Sequence, residues 1–153
     1  MKTKTALFVL AIMLMVIAPI NSNSISKSTT DNLKEAFKGE TTASAKYADY
    51  AKKAKKDGYA RIALLFEAAS KAEKIHANNH KAVLEQLGVK VDKITPKYTV
   101  KSTKENLEDA ISGEGYESTT MYPGFIKTAD AENNNLALIS FNYAFKTEQK
   151  HLK

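Results

Sequence analysis

The nine residues Asn32-Leu-Lys-Glu-Ala-Phe-Lys-Gly-Glu40 return 74 positions later as Asn106-Leu-Glu-Asp-Ala-Ile-Ser-Gly-Glu114, with Asn, Leu, Ala, Gly and Glu in the same places. A second pair, Glu73-Lys-Ile-His76 and Glu148-Gln-Lys-His151, repeats at a spacing of 75. The chain therefore reads as two copies of one helix pair. Each copy has a glutamate on its first helix and Glu-x-x-His on its second. Such a duplication implies a pseudo-twofold axis, with equivalent residues facing each other across it.

Around these anchors the apolar residues recur at helical spacing. Leu33, Ala36, Phe37, Ser44, Tyr47 and Ala51 predict a first helix over 31–57, capped by Thr30 or Asp31 and stopped at Asp57-Gly58. Lys52, Lys53, Lys55 and Lys56 fall in its last turns, where cations suit the helix dipole. Ile62, Phe66, Ala69, Val83 and Leu87 predict a second helix over 59–87, ended by Gly88. Residues 89–102, VKVDKITPKYTVKS, read as an extended crossover. A third helix starts near Thr103 with a cap from Ser102 or Thr103, and carries Leu107, Ala110, Met121 and Phe125. Pro123 interrupts it, so a kink or local irregularity is expected there. After a turn at Asn133-Asn-Asn135, a fourth helix carries Ala137, Phe141 and Phe145. Short, long and short connections give an all-α, antiparallel four-helix bundle with one long crossover between helices 2 and 3.

The acids sit where acids normally do not. Glu40 follows Phe37 by three and precedes Tyr47 by seven; Glu73 lies seven after Phe66; Glu114 lies seven after Leu107; Glu148 lies seven after Phe141. Glu117 follows Glu114 by one turn, and His76 and His151 each stand one turn beyond a core-facing glutamate. Five carboxylates and two imidazoles thus converge on the bundle axis. Burying even one uncompensated charge costs several kcal/mol. Two divalent cations nearly neutralise the five carboxylates, and oxygen-rich ligation with one imidazole per ion favours iron or manganese, with zinc as a common substitute. A lone Glu-x-x-His is an ordinary surface pair; the duplication and shared register point to metal. His80 has no counterpart in the second half and reads as a supporting or structural histidine. Tyr47 and Tyr122 are placed to hydrogen-bond carboxylate ligands, or to serve as core tyrosines.

Composition narrows the alternatives. The 153 residues carry 23 Lys+Arg against 17 Asp+Glu, a net charge of +6, and no cysteine. Disulfides, thiolate metal sites and thiol catalysis are excluded. The basic balance raises nucleic-acid binding, but the lysine cluster at 52–56 comes with no aromatic platform or basic recognition helix, so no nucleic-acid partner is expected. At the N-terminus, Lys2 and Lys4 precede a 15-residue apolar run, Ala6–Ile20. As a helix that run would span roughly 22 Å against a hydrocarbon core of ~30 Å, short for a membrane span and right for a signal peptide. Residues 1–24 are therefore expected to be a signal peptide, or alternatively a signal anchor, and 25–153 the folded domain. The protein is expected to be exported to a periplasmic or extracellular location, or held at the membrane by that segment. Without cysteine there is no lipid-attachment box.

The segments NLKEAFKGE and AEKIHANNH, Tyr47, and above all GEGYESTTMYPGF resemble the rubrerythrins, within the ferritin-like superfamily. The resemblance covers about residues 29–153. It implies a ferritin-like diiron bundle in which Glu40 and Glu114 are terminal ligands and Glu73 and Glu148 bridge two irons. It implies that His151 binds one iron permanently, while Glu117 and His76 exchange on the other between oxidised and reduced states. The implied activity is reduction of hydrogen peroxide to water, in defence against oxidative stress. The alternative is a ferroxidase or iron-binding protein without peroxidase turnover. Many rubrerythrins carry a rubredoxin-like domain with Cys-x-x-Cys pairs; without cysteine, this chain is expected to take electrons from a separate donor protein. A homodimer is implied by the resemblance alone. Family members usually continue the last helix beyond the residue matching His151, so a truncated sequence or a weakened second metal position is also expected.

Overall fold

The computed structural model describes residues 27–151. Five α segments and one π-helical turn make the four rods of a bundle. They are α1 (Lys27–Lys56), α2 (Ala60–Gln86), α3 (Thr103–Tyr116), the π turn (Glu117–Met121), α4 (Tyr122–Ala131) and α5 (Asn135–His151). The third rod is α3, the π turn and α4 in succession, so the predicted all-α bundle with a long crossover is the architecture found. The expected signal segment, residues 1–24, lies outside the described residues. Among the described residues, no helix is long and apolar enough to cross a membrane.

The turns follow the residues that make them. Gly58 and Gly88 take φ of 86° and 72°, a left-handed conformation that glycine adopts without Cβ strain, and so close α1 and α2. Of the two caps the sequence offers for α3, Ser102 is the one used, in a reciprocal box with Glu105. At the start of α1 the structure differs from expectation. The helix begins at Lys27, so Thr30 and Asp31 lie inside it rather than capping it. A tertiary tie explains the extension: the Thr29 hydroxyl and backbone N–H both donate to Glu132, at the end of α4.

The irregularity expected near Pro123 is the π turn just before it. The Tyr122 N–H donates to the Glu117 carbonyl, five residues back. Proline supplies no N–H to the turn that precedes it, which loosens the ladder there and accommodates one extra residue.

Two apolar clusters fill the interior. Leu33, Leu84, Tyr122 and Phe141 anchor one, and Tyr47, Tyr50, Ala54 and Phe66 the other. A fully buried side chain such as Leu33 or Leu84 contributes about 1.5–3 kcal/mol. In sequence along every rod, the acidic residues fall between or beside the residues of these clusters. The crossover is tied along α1 by the Tyr98 hydroxyl, which donates to Asp49 Oδ2 at 2.7 Å.

Candidate metal centre

Each rod delivers its share of the polar band by helical period alone. Glu40 comes from α1, Glu73 and His76 from α2, Glu114 from α3 and Glu148 and His151 from α5. Glu40, Glu73 and Glu148 have no solvent exposure, and Glu114 and His76 have almost none. The donor atoms form two groups, Glu40–Glu73–His76–Glu148 and Glu73–Glu114–Glu148–His151, each with its ligand atoms within 4.8 Å of one another.

Glu73 and Glu148 belong to both groups, and their oxygens are divided between them. His76 Nδ1 lies 3.0 Å from Glu73 Oε2 and 2.8 Å from Glu148 Oε1. His151 Nδ1 lies 2.9 Å from Glu148 Oε2, 3.6 Å from Glu73 Oε1 and 2.9 Å from Glu114 Oε2. Donor atoms bound at ~2.1 Å around one six-coordinate ion lie about 3 Å apart; the histidine–carboxylate spacings here run from 2.8 Å to the 4.0 Å between His76 Nδ1 and Glu40 Oε1. Two buried oxygens, Glu40 Oε2 and Glu73 Oε1, have no hydrogen-bond partner, and those of Glu148 meet the two histidines. Orphaned, fully buried carboxylate oxygens are costly, and a cation between the groups satisfies them. The residues fit a pair of metal ions, with Glu73 and Glu148 common to the two positions.

The electrostatics agree. Burial, followed by the charges of Glu117, Glu73 and Glu148, raises Glu40 well above the usual carboxylate range. Burial and neighbouring carboxylates likewise push Glu114 up to about 7, against the hydrogen bond from His151, and Glu117 up to about 8. The imidazoles supply compensating charge. Burial pulls His76 down, but Glu148 and Glu73 outweigh it and bring it up to about 9. Glu114 and Glu148 bring His151 up to about 10. Without metal, protons on the two histidines stand where cationic charge is needed.

The two tyrosines cross the pseudo-twofold axis. Tyr47, in the first half, donates to Glu114 Oε1 at 2.6 Å, and Tyr122, in the second, donates to Glu40 Oε1. Glu117 sits outside both four-residue groups but close enough to raise Glu40 by its charge. His80 joins neither group; it contacts Tyr122 and Ser140. Sequence reasoning missed Ser140, a hydroxyl on the same buried stripe as Ala137, Phe141 and Ala144. Its position in that stripe was the available signal. An apolar cleft of about 210 Å3, walled by Phe66, Ala69, Leu107 and Ala110, reaches inward to Tyr47, Glu114 and His151.

Comparison with known proteins places this geometry. A family model described as Rubrerythrin matches residues 31–153. Nigerythrin from Nitratidesulfovibrio vulgaris is 39% identical over 132 residues, which cover 86% of this chain and 65% of that protein. Rubrerythrin from Porphyromonas gingivalis is 34% identical over 132 residues, covering 86% and 66%. The chain thus spans just under two thirds of the length of these curated relatives. Among solved structures, nigerythrin in its mixed-valence state superposes with a TM-score of 0.78 at 38% identity, covering 87% of this chain and 66% of that one. The fully reduced, all-ferrous state of nigerythrin gives 0.77 at 33% identity, covering 97% and 76%. Symerythrin from Cyanophora paradoxa, at 22% identity and a TM-score of 0.67, covering 84% and 82%, shares the fold.

Proposed function

The chain belongs to the rubrerythrin family, and on that premise we propose that it is a non-haem diiron oxidoreductase that reduces hydrogen peroxide to water. The observation that carries this is the sharing of Glu73 and Glu148 between two buried histidine-carboxylate groups, in which Glu40 Oε2 and Glu73 Oε1 lack a hydrogen-bond partner. Glu40, Glu73, His76 and Glu148 would hold one iron, and Glu73, Glu114, Glu148 and His151 the other. Two ferrous ions held there supply two electrons and Lewis acidity.

The protein's own contribution is placement and exclusion of water. Peroxide reduction consumes two electrons and two protons and releases two waters. The apolar cleft ending at Tyr47 and Glu114 is a route for so small a substrate. Tyr47 and Tyr122 keep their protons on Oη, because burial and the adjacent carboxylates raise both hydroxyls. They act by donating hydrogen bonds that orient Glu114 and Glu40. Glu117, held by the π turn beside Glu40 and Glu114, is assigned to the reacting centre with His76.

Residues 31–153 hold no cysteine that could relay electrons, and a rubredoxin-type donor would supply them. The alternative is iron oxidation or binding without peroxidase turnover. Sustained peroxide consumption by the iron-loaded protein, driven by an added reduced rubredoxin-type donor, tests the proposal. Net ferric mineral accumulation with no such turnover would establish the alternative.

A further inference from the structure

We infer that His80, backed by Ser140, is a positioning residue that fixes the direction of the Tyr122–Glu40 hydrogen bond and makes the Glu40–Glu73–His76–Glu148 position the tighter of two metal positions. The inference rests on the two-metal reading of the centre. His80 is fully buried and spans two hydroxyls: Nε2 lies 3.0 Å from Tyr122 Oη, and Nδ1 lies 2.7 Å from Ser140 Oγ. A glutamate that ligates a cation is ionised and can only accept, so Tyr122 spends its one proton on Glu40 Oε1. The tyrosine oxygen must then accept from His80 Nε2–H. A neutral imidazole has one N–H, so Nδ1 accepts from the Ser140 hydroxyl. One polarity satisfies the whole chain from α5 through α2 and α4 to α1, and Glu40 is left with Oε2 unpartnered for an ion.

Two further features hold this arrangement. Burial pushes His80 down to about 3, so it stays neutral. The rings of Phe141 and Tyr122, with centroids 5.5 and 6.0 Å from that of His80, pack around it. The other half has no such backing. Among the described residues, Glu114 is the hydrogen-bond partner of the Tyr47 hydroxyl, and the tyrosine ring neighbours there are Phe66 and Tyr50. Leu65, 75 positions before Ser140, is a leucine and is exposed. Apart from the residues of the two metal-binding groups, Glu40 is thus held by a chain three residues deep and Glu114 by a single tyrosine. Partners of this outer kind change metal affinity about 10–100-fold.

Calorimetric titration of the purified protein with zinc alone tests this without recourse to activity. Two binding steps of unequal affinity are expected. His80→Leu should weaken the tighter step about 10-fold and leave the other unchanged, whereas Tyr47→Phe should weaken only the looser one. His80→Gln, which keeps an N–H toward Tyr122, should retain most of the tighter affinity. Tyr122→Phe should weaken the tighter step, and adding His80→Leu to it should change nothing more; a purely packing role would give additive losses. Nitrogen-15 spectra of the zinc-loaded wild-type protein should show His80 protonated at Nε2, a readout that needs no variant to fold. Two equal steps, additive losses, or an Nδ1-protonated His80 would overturn the inference while leaving the two-metal reading intact. Fewer than two zinc ions bound would overturn both.

Discussion

The hydroxyl of Tyr47 on α1 donates to the carboxylate of Glu114 on α3 at 2.6 Å, so one half of the duplicated chain orients a buried glutamate of the other. Tyr122 returns the relationship to Glu40. The two halves therefore complete each other's site, and neither helix pair carries a finished metal position alone.

Metal should decide the sign of a charge-removing substitution. Glu40 is fully buried, and burial together with Glu117, Glu73 and Glu148 penalises its charge. In metal-free protein Glu40→Gln should raise the unfolding midpoint by relieving that repulsion. In metal-loaded protein the same change should lower it, because a ligand is lost. Scanning calorimetry with and without a chelator checks both arms; the same sign in both would argue for a metal-free structural role.

Metal-free protein should lose stability as pH rises from about 7 to about 9. Glu114 and Glu117, raised to about 7 and about 8, retain protons in the folded state that the unfolded chain has already released. His76 and His151, raised to about 9 and about 10, do likewise above the ordinary histidine range. Folded protein thus binds more protons than unfolded protein throughout this window, and the slope of stability against pH is negative. Glu148, lowered to about 2 because both histidines outweigh its burial, and His80, at about 3, are deprotonated in both states above pH 7. Urea midpoints of chelated protein should fall across the window, and a flat or rising profile would contradict the charge arrangement described.

Glu117→Gln should separate binding from reactivity. The residue stands outside both four-residue groups, so zinc or ferrous stoichiometry should persist at two per chain. Oxidation of the ferrous protein by peroxide should slow by at least 10-fold if Glu117 belongs to the reacting centre. Rapid-mixing absorbance against metal analysis of the same sample makes the comparison.

We propose that the protein is exported, and a mature N-terminus near residue 25 is then expected. Mass spectrometry of protein recovered outside the cytoplasm should lack the Ala6–Ile20 run; recovery of a chain beginning at Met1 would favour anchorage or retention.

Much of this was legible in the sequence because duplication and burial act on the same residues. An acid on an apolar stripe is anomalous once; the same anomaly repeated at 74–75 positions points to the bundle and to the buried carboxylate–histidine cluster found within it. The drift from 74 to 75 also carried the π turn. Glu40 precedes Tyr47 by seven residues, but Glu114 precedes Tyr122 by eight, and the extra residue is absorbed in Glu117–Met121. The start of α1 was not legible, because Thr29 is held by Glu132, a contact over 103 positions that local propensity cannot register. Nor was the partner of His80, since Ser140 on an apolar stripe reveals its role only when α2 and α5 are brought together.

The central claim is tested most directly by anaerobic stopped-flow oxidation of the ferrous-loaded protein, with hydrogen peroxide in one experiment and dioxygen in the other. Two irons per chain, oxidised faster by peroxide than by dioxygen, is the expected result. Slow oxidation by peroxide with a faster reaction toward dioxygen would contradict it and favour iron oxidation or storage.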